Sequence, residues 1–149
     1  MPQLIIVAHA PLASALAAVA LHVYGDKAAQ VRAVDVGGED SPDAVAARLG
    51  ALITERPSVE TLLLADVFGA TPCNGAMRVA DGVRVRLVAG VNVPMLWRAL
   101  CYSDEPLDRL VSRVVEGAGL GILSLSSPRS QNQQPRECPH DPVDPHHQQ

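Results

Sequence analysis

Residues 4–11, with the sequence LIIVAHAP, are the stretch from which the fold of this chain can be predicted. Leu4 to Ala8 form a continuous apolar run, which is typical of a strand buried on both faces of a parallel sheet. His9 ends that run, and Pro11 stands where the first turn of a helix tolerates proline. The stretch therefore predicts a buried strand that leads through a short turn into a helix over residues 12–23.

The same alternation of strand and helix continues along the chain. We predict further strands at 31–36, 61–65 and 83–88, and further helices at 42–55, 71–80, 94–102 and 107–116. Ser41-Pro42 and Thr71-Pro72 each place a capping hydroxyl before a proline at the first helical position. Residues 121–125 are expected to add a short edge strand. This pattern predicts an α/β fold, doubly wound, with a mainly parallel sheet of order about 2-1-3-4 plus the short edge strand and with helices on both faces.

Composition separates the 149-residue chain into one domain and a tail. Hydrophobic residues make up 48% and charged residues 19%, as in globular proteins. From residue 126 onward the sequence becomes rich in Pro, Gln and His, and it has too few apolar side chains to offset the entropy of ordering. We therefore expect a folded domain at 1–125 and a disordered tail at 126–149.

Charge and composition also exclude several classes of partner. Lys and Arg number 12 against 16 Asp and Glu, which leaves a net charge of −4 and no dense basic patch for nucleic acid. The apolar run at the N-terminus is too short for a signal peptide or a membrane span. The three cysteines, Cys73, Cys101 and Cys138, have neither a CxxC pattern nor a zinc spacing. We expect a cytoplasmic protein with no direct membrane insertion, no metal and no cofactor.

Polar residues follow the predicted strands at the edge where sites form in parallel sheets. His9 follows the first strand, Asp66 follows the third, and Thr71-Pro72 then opens a helix. With the order 2-1-3-4, the first and third strands are neighbours, so we expect His9 to face Asp66. A carboxylate that holds one ring nitrogen leaves the other free as a nucleophile, and a helix N-terminus favours an anion. This arrangement suits a histidine that accepts a phosphoryl group.

Each of these residues also has a purely structural interpretation. His9 can be a satisfied polar residue at a strand end, and Asp66 can be a turn residue or a helix-cap partner. Cys73 has the pattern of a small packed residue rather than of a nucleophile, because nothing in the sequence supplies it a base. Asn92 can simply shape the turn before Pro94.

Three separated motifs carry a resemblance to a known family. Residues 5–10 read IIVAHA, residues 66–74 read DVFGATPCN, and residues 89–96 read AGVNVPML. In this order and spacing they resemble the mannose-type IIA component of the bacterial phosphoenolpyruvate-dependent phosphotransferase system, over about residues 3–120. One departure is Ala10, where many relatives have Gly directly after the histidine.

The resemblance implies a role for each matching residue. His9 corresponds to the histidine that accepts a phosphoryl group from the phosphocarrier protein HPr and passes it to a IIB component, and Asp66 corresponds to the acidic residue that orients it. Thr71 corresponds to a hydroxyl residue beside the phosphate. The expected phosphate-binding set is Thr71, Ala10, Cys73 and Asn74, and the expected rim of the site is Phe68, Gly69 and Asn92. The family also implies a homodimer.

Two other functions remain open from the sequence. The protein can be a regulatory binding module of a phosphotransferase pathway without a permease, in which phosphorylation of His9 controls which partner docks. A small hydrolase with His9 as general base is the weaker alternative, because no nucleophile or metal site can be identified.

Overall fold

The computed structural model describes residues 1–126 and contains a four-stranded sheet in which all neighbouring strands are parallel. The strands are β1 (Gln3–His9), β2 (Arg32–Val36), β3 (Thr61–Ala65) and β4 (Val85–Ala89). They lie in the order β2-β1-β3-β4, which confirms the predicted order. The reversal of strand order falls between β1 and β3, so the loops that follow these two strands border one crevice.

Helices cover both faces of this sheet, as predicted. The α-helices within the described residues are α1 (Leu12–Tyr24), α2 (Pro42–Thr54), α3 (Thr71–Met77), α4 (Val93–Cys101) and α5 (Leu107–Leu120), with a short 3-10 helix at Gly25–Ala28. One face packs against α1, α4 and α5, and the other packs against α2 and α3. None of these helices combines the length and the apolar character that a membrane crossing requires.

The apolar run of β1 is buried because the strand lies in the centre of the sheet. Leu4 and Ile6 point into the core beneath α1, α4 and α5, whereas Ile5 and Val7 point into the core beneath α2 and α3. Ile5, Ile6 and Val7 have no exposed surface. A fully buried Ile or Val side chain contributes about 1.5–3 kcal/mol, so this strand anchors both halves of the molecule.

The fourth strand begins later than the sequence indicates. Residues 83 and 84 belong to a turn in which Oδ1 of Asp81 accepts the backbone N–H groups of Val83, Arg84 and Val85, each at 2.8 Å. The carboxylate takes up these donors, and the ladder with β3 starts only at Val85. The apolar character of Val83 was therefore misleading, since its side chain is exposed.

The edge strand predicted at 121–125 is not formed. Helix α5 continues to Leu120, beyond the predicted end at 116, and Gly117 within this extension packs directly on α4: a Cβ there would lie 2.2 Å from Cγ of Arg98. Residues 122–126 follow without a strand partner among the residues that the structure describes. Apart from Ser126, the tail predicted at 126–149 lies outside the described residues.

Candidate active site

His9 and Asp66 form a hydrogen-bonded pair at the carboxyl edge of the sheet. The register of β1 and β3 pairs Val7 with Ala65, so Asp66 lies beside the end of β1. Nδ1 of His9 lies 2.6 Å from Oδ2 of Asp66, and the same oxygen accepts the backbone N–H of His9 at 2.9 Å. The juxtaposition expected from the strand order is therefore present.

The carboxylate of Asp66 is held in its ionised form. Partial burial by itself raises the pKa of this carboxyl, but the hydrogen bonds from the backbone and ring of His9 and from the backbone of Val67 outweigh it. The net effect places the pKa of Asp66 below its ordinary value. Because an ionised carboxylate can only accept, Nδ1 of His9 must be the donor.

The other ring nitrogen of His9 is available for chemistry. The side chain of His9 is 54% exposed whereas that of Asp66 is 10% exposed. The imidazole ring therefore lies at the surface, and the carboxylate that hydrogen-bonds it is largely buried. With Nδ1 protonated, a neutral ring has its lone pair on Nε2. No residue among those that the structure describes hydrogen-bonds Nε2. The pair thus presents an oriented nucleophilic nitrogen to solvent.

The turn after His9 is held by the end of β2. The backbone N–H of Ala10 donates to the carbonyl of Val36 at 2.9 Å. This amide is therefore already engaged in the backbone. The binding of phosphate by Ala10 stays a prediction.

Asp35 is a residue of this turn that the sequence analysis did not single out. Helix α1 begins after Pro11, which has no capping side chain, and Oδ1 of Asp35 accepts the N–H of Ser14 in the first turn at 3.1 Å. The hydrogen bond from Ser14 lowers the pKa of the Asp35 carboxyl. The signal in the sequence was weak: a single carboxylate inside an apolar strand, before the Gly37-Gly38 turn.

The loop from β3 to α3 is tied down by its own backbone and by Asn74. Gly69 has a φ of +87°, which favours glycine because a Cβ would be strained there. Nδ2 of Asn74 donates to the carbonyl of Gly69 at 3.0 Å, and its backbone N–H donates to Ala70 at 2.9 Å. Asn74 therefore holds the loop with its side-chain amide and its backbone N–H. Phe68 stands on this loop with 77% of its surface exposed.

The N-cap of helix α3 is Ala70 and not the expected Thr71. Ala70 has the extended backbone of an N-cap and makes no side-chain capping bond, so Thr71 is the first helical residue rather than the cap. Among the described residues, neither the hydroxyl nor the N–H of Thr71 has a hydrogen-bond partner, and the N–H of Cys73 has none either. The side chain of Cys73 is buried in the core, so only its backbone can face a ligand.

Asn92 is a helix cap at the same edge of the sheet. Its Oδ1 accepts the N–H of Met95 at 2.8 Å and so caps α4. The N–H groups of Gly90 and Val91 both donate to the carbonyl of Ala65 at 2.9 Å, which ties this loop to the residue before Asp66. Within residues 1–126, no group of three or more potential metal ligands converges.

Comparisons with known proteins agree on one family. The model of the family described as "PTS system fructose IIA component" matches residues 3–115. The mannose-specific EIIAB component of the phosphotransferase system of Escherichia coli strain K12 is 38% identical over 69 residues, which cover 44% of this chain and 21% of that protein. The match thus spans about a fifth of the length of the curated relatives.

Solved structures agree with the fold over a much larger share. The mannose/sorbose-specific IIA subunit from Enterococcus faecalis superposes with a TM-score of 0.79 and 30% identity, covering 87% of this chain and 98% of that one. The EIIA component from Streptococcus agalactiae superposes with a TM-score of 0.73 and 25% identity, covering 83% of this chain and 97% of that one.

Proposed function

The chain belongs to the family of IIA components of the phosphotransferase system, and from this premise we propose that it carries a phosphoryl group on Nε2 of His9. A IIA component is a phosphotransferase component of that system. The proposal adds the donor, which is phosphorylated HPr, the acceptor, which is a IIB component, and the atom that carries the group. The observation that supports it is the His9–Asp66 pair, in which Nδ1 is engaged and Nε2 has no partner among residues 1–126.

Transfer to His9 needs few groups beyond those described. The lone pair of Nε2 attacks the phosphorus atom, and the P–N bond to the donor's histidine breaks so that its electron pair returns to the donor ring. The His9 ring, still protonated at Nδ1, then carries positive charge. Asp66 balances that charge without moving, because it already accepts from Nδ1. The donor and acceptor bonds are alike, so alignment and charge stabilisation are sufficient.

We infer that Thr71 and the first amides of α3 receive the phosphoryl oxygens. The hydroxyl and N–H of Thr71 and the N–H of Cys73 have no partner among the described residues. They lie at the start of the helix that follows Asp66, where donors favour an anion. The amides of Ala10 and Asn74 are bonded elsewhere, which leaves those residues to shape the site.

The proposed partners imply a location and an assembly. A donor and an acceptor of the phosphotransferase system would be met in the cytoplasm. We also propose a homodimer, because the end of the described chain exposes Leu120, Ile122, Leu123 and Leu125. Light scattering after size exclusion tests this: Leu123→Asp with Leu125→Asp should give a monomer, and an unchanged mass would count against this surface.

Phosphorylation in vitro tests the function itself. The protein is mixed with phosphoenolpyruvate, enzyme I and HPr, and acid-labile phosphate is followed by intact mass. We expect one phosphoryl group on the wild type and none on His9→Ala. His22→Ala is the matched control, because it removes an exposed histidine from α1, and it should still be phosphorylated. No phosphate on the wild type in the presence of phosphorylated HPr would refute the proposed donor.

A second stage tests the acceptor. Purified phosphoprotein is incubated with a IIB component, and loss of label from His9 is followed over time. Rapid transfer supports the carrier function. Retention of the label, together with a partner bound in one phosphorylation state only, would instead favour the regulatory module.

A further inference from the structure

An open groove runs between helices α4 and α5, and we call it the α4–α5 groove. It has a volume of about 230 Å³. The residues that line it are Pro94, Trp97, Arg98, Gly117, Leu120 and Gly121. Along each helix these positions are three and four residues apart, so they form one face of α4 and one face of α5 with its C-cap. The groove is therefore a contact between two helix faces that is left open to solvent.

The helices approach closely along this groove because two of its residues are glycines. A Cβ at Gly117 would lie 2.2 Å from Cγ of Arg98, and a Cβ at Gly121 would lie 2.3 Å from Cγ of Pro94. The larger lining side chains stay in solvent, since Trp97 is 39% exposed and Leu120 is 70% exposed. Trp97 is the single tryptophan of the chain. An aromatic and an aliphatic side chain exposed together in a groove indicate a place where another segment packs.

A segment of matching chemistry follows in the same chain, within residues 127–149, which lie outside the described residues. Residues 139–145 read PHDPVDP, with proline at every third position: Pro139, Pro142 and Pro145. A polyproline II helix has three residues per turn, so in that conformation the three prolines would share one edge. Proline edges of this kind bind grooves lined by aromatic side chains, and proline has no side-chain rotamers to lose on binding. The spacing of the prolines therefore suits a groove that exposes Trp97.

The charges of the groove and of this segment are complementary. Among the described residues that line the groove, Arg98 alone is charged, and it forms no ion pair within residues 1–126. Residues 139–145 contain Asp141 and Asp144 but no Lys or Arg. Because the two carboxylates are also three residues apart, they would share the edge beside that of the prolines. An exposed ion pair adds little affinity, so Arg98 would select the orientation of the segment more than the strength of binding.

We propose that residues 139–145 dock in the α4–α5 groove of their own chain, with the proline edge against Trp97 and Leu120. The acidic edge of the segment then faces Arg98. The linker allows this, because the chain from residue 126 to residue 139 spans up to about 45 Å when extended. A tethered ligand of this kind has an effective concentration of about 1 mM, so a contact with a Kd of about 0.1 mM keeps the groove about 90% occupied. The proposal does not depend on phosphoryl transfer.

Fluorescence of the full-length chain tests this docking, because the emission of tryptophan comes from Trp97 alone. Acrylamide is an uncharged quencher, and it measures how much of the indole ring is accessible. We expect Pro142→Ser with Pro145→Ser to weaken the contact about tenfold, which lowers the occupancy to about half and raises the accessible fraction about fivefold. Pro128→Ser with Pro135→Ser is the matched control, because it removes two prolines outside the interval of three and should leave quenching unchanged. Both variants leave residues 1–126 unaltered.

Substitutions in the groove test the other side of the contact. In Leu120→Ser the groove loses an apolar wall, and the substitution of Pro142 and Pro145 should then cause little further change in quenching. Fully additive effects would show that the prolines do not act through the groove. Arg98→Gln keeps the Cγ that packs at Gly117, and it should raise quenching at low ionic strength but not in high salt, where exposed charges are screened. An effect that is equal in high salt would overturn the assigned ion pair.

Other results would overturn the docking itself. Unchanged quenching in Pro142→Ser with Pro145→Ser would show that the segment does not cover Trp97. An equal rise in the control variant would show that the number of prolines, and not their interval, is responsible. Quenching of the wild type that rises on dilution would identify a second copy of the chain as the occupant, because docking of a chain's own segment does not depend on concentration.

Discussion

Replacement of Asp66 tests the pair at the centre of the site. Oδ2 of Asp66 accepts the backbone N–H of His9 at 2.9 Å and lies 2.6 Å from Nδ1, while Oδ1 accepts the N–H of Val67 at 2.8 Å. In Asp66→Asn, one of these oxygens becomes an NH2 group, which donates but cannot accept. Either His9 or Val67 then loses its acceptor, and the charge that balances a phosphorylated ring is lost in both cases.

The expected magnitude follows from these contacts. A hydrogen bond to a charged group contributes about 1.5–3 kcal/mol, and about 1.4 kcal/mol of transition-state stabilisation corresponds to a tenfold change in rate. We therefore expect Asp66→Asn to slow phosphorylation of His9 by about 10- to 100-fold. Asp66→Ala removes the carboxylate that accepts from both the ring and the backbone of His9. We therefore expect this variant to be slowed by about 100-fold or more.

A small phosphoryl donor makes this measurement independent of any protein partner. The rate is followed by intact mass with phosphoramidate, and the phosphorylated nitrogen is identified by NMR of the ring. We expect Nε2 alone in the wild type, and a mixture of Nε2 and Nδ1 in Asp66→Ala because Nδ1 is no longer engaged. Asp104→Asn is the charge-matched control, since Asp104 is exposed in the turn after α4, away from the loops that follow the strands. If Asp66→Ala reacted within twofold of the wild type and at Nε2 alone, the orienting role would be wrong.

Three further predictions concern stability and can be checked by thermal unfolding. Gly75→Ala should lower stability by about 1–3 kcal/mol, because the added Cβ would lie 2.6 Å from Cβ of Val45. Gly50→Ala, in α2 with open space around it, should instead raise stability by up to about 1 kcal/mol. A change of the same sign in both variants would contradict the packing argument. Asp35→Ala should cost about 1 kcal/mol through the lost cap of α1, and Asp35→Asn should restore much of it; equal losses would indicate that charge, and not the cap, is responsible. Stability should fall as the pH drops below about 4, because Asp35 and Asp66 have pKa values below their ordinary 3.8 in the folded state. Their contribution to stability is complete above 3.8 and is lost as the pH falls through the folded pKa. The fall should be smaller in Asp66→Asn, and an identical pH profile in that variant would refute the assignment.

The strand order and the His9–Asp66 juxtaposition could be predicted because they depend on short, strongly patterned segments. The runs Leu4–Ala8 and Thr61–Ala65 are long enough and apolar enough to be buried in the centre of a sheet. Parallel strands then bring the residues that follow them to one edge. No contact information was needed to expect His9 beside Asp66, because both come directly after such strands.

The ends of helices and strands, and the acceptor to which each backbone N–H donates, could not be predicted in the same way. Thr71 has the residue type and the following proline of a cap, yet Ala70 adopts the cap conformation, and the Thr71 hydroxyl caps no amide in the part of the chain that the structure describes. The amide of Ala10 is taken by Val36, which is 26 positions away in sequence. Competition between a local and a distant acceptor is decided by geometry that no local pattern contains.

The sequence by itself determined the class of fold, the strand order and the two residues at the centre of the site, because apolar periodicity and strand-end positions are local properties. Only the tertiary structure decided which amides near the pair lack a partner among the described residues, that Asp35 caps α1, and that α5 continues through Gly117 to Leu120 with no edge strand after it in the described part of the chain. Those outcomes depend on close approach between segments far apart in the chain. At Gly117 the absence of a Cβ matters only because Arg98 of another helix packs there.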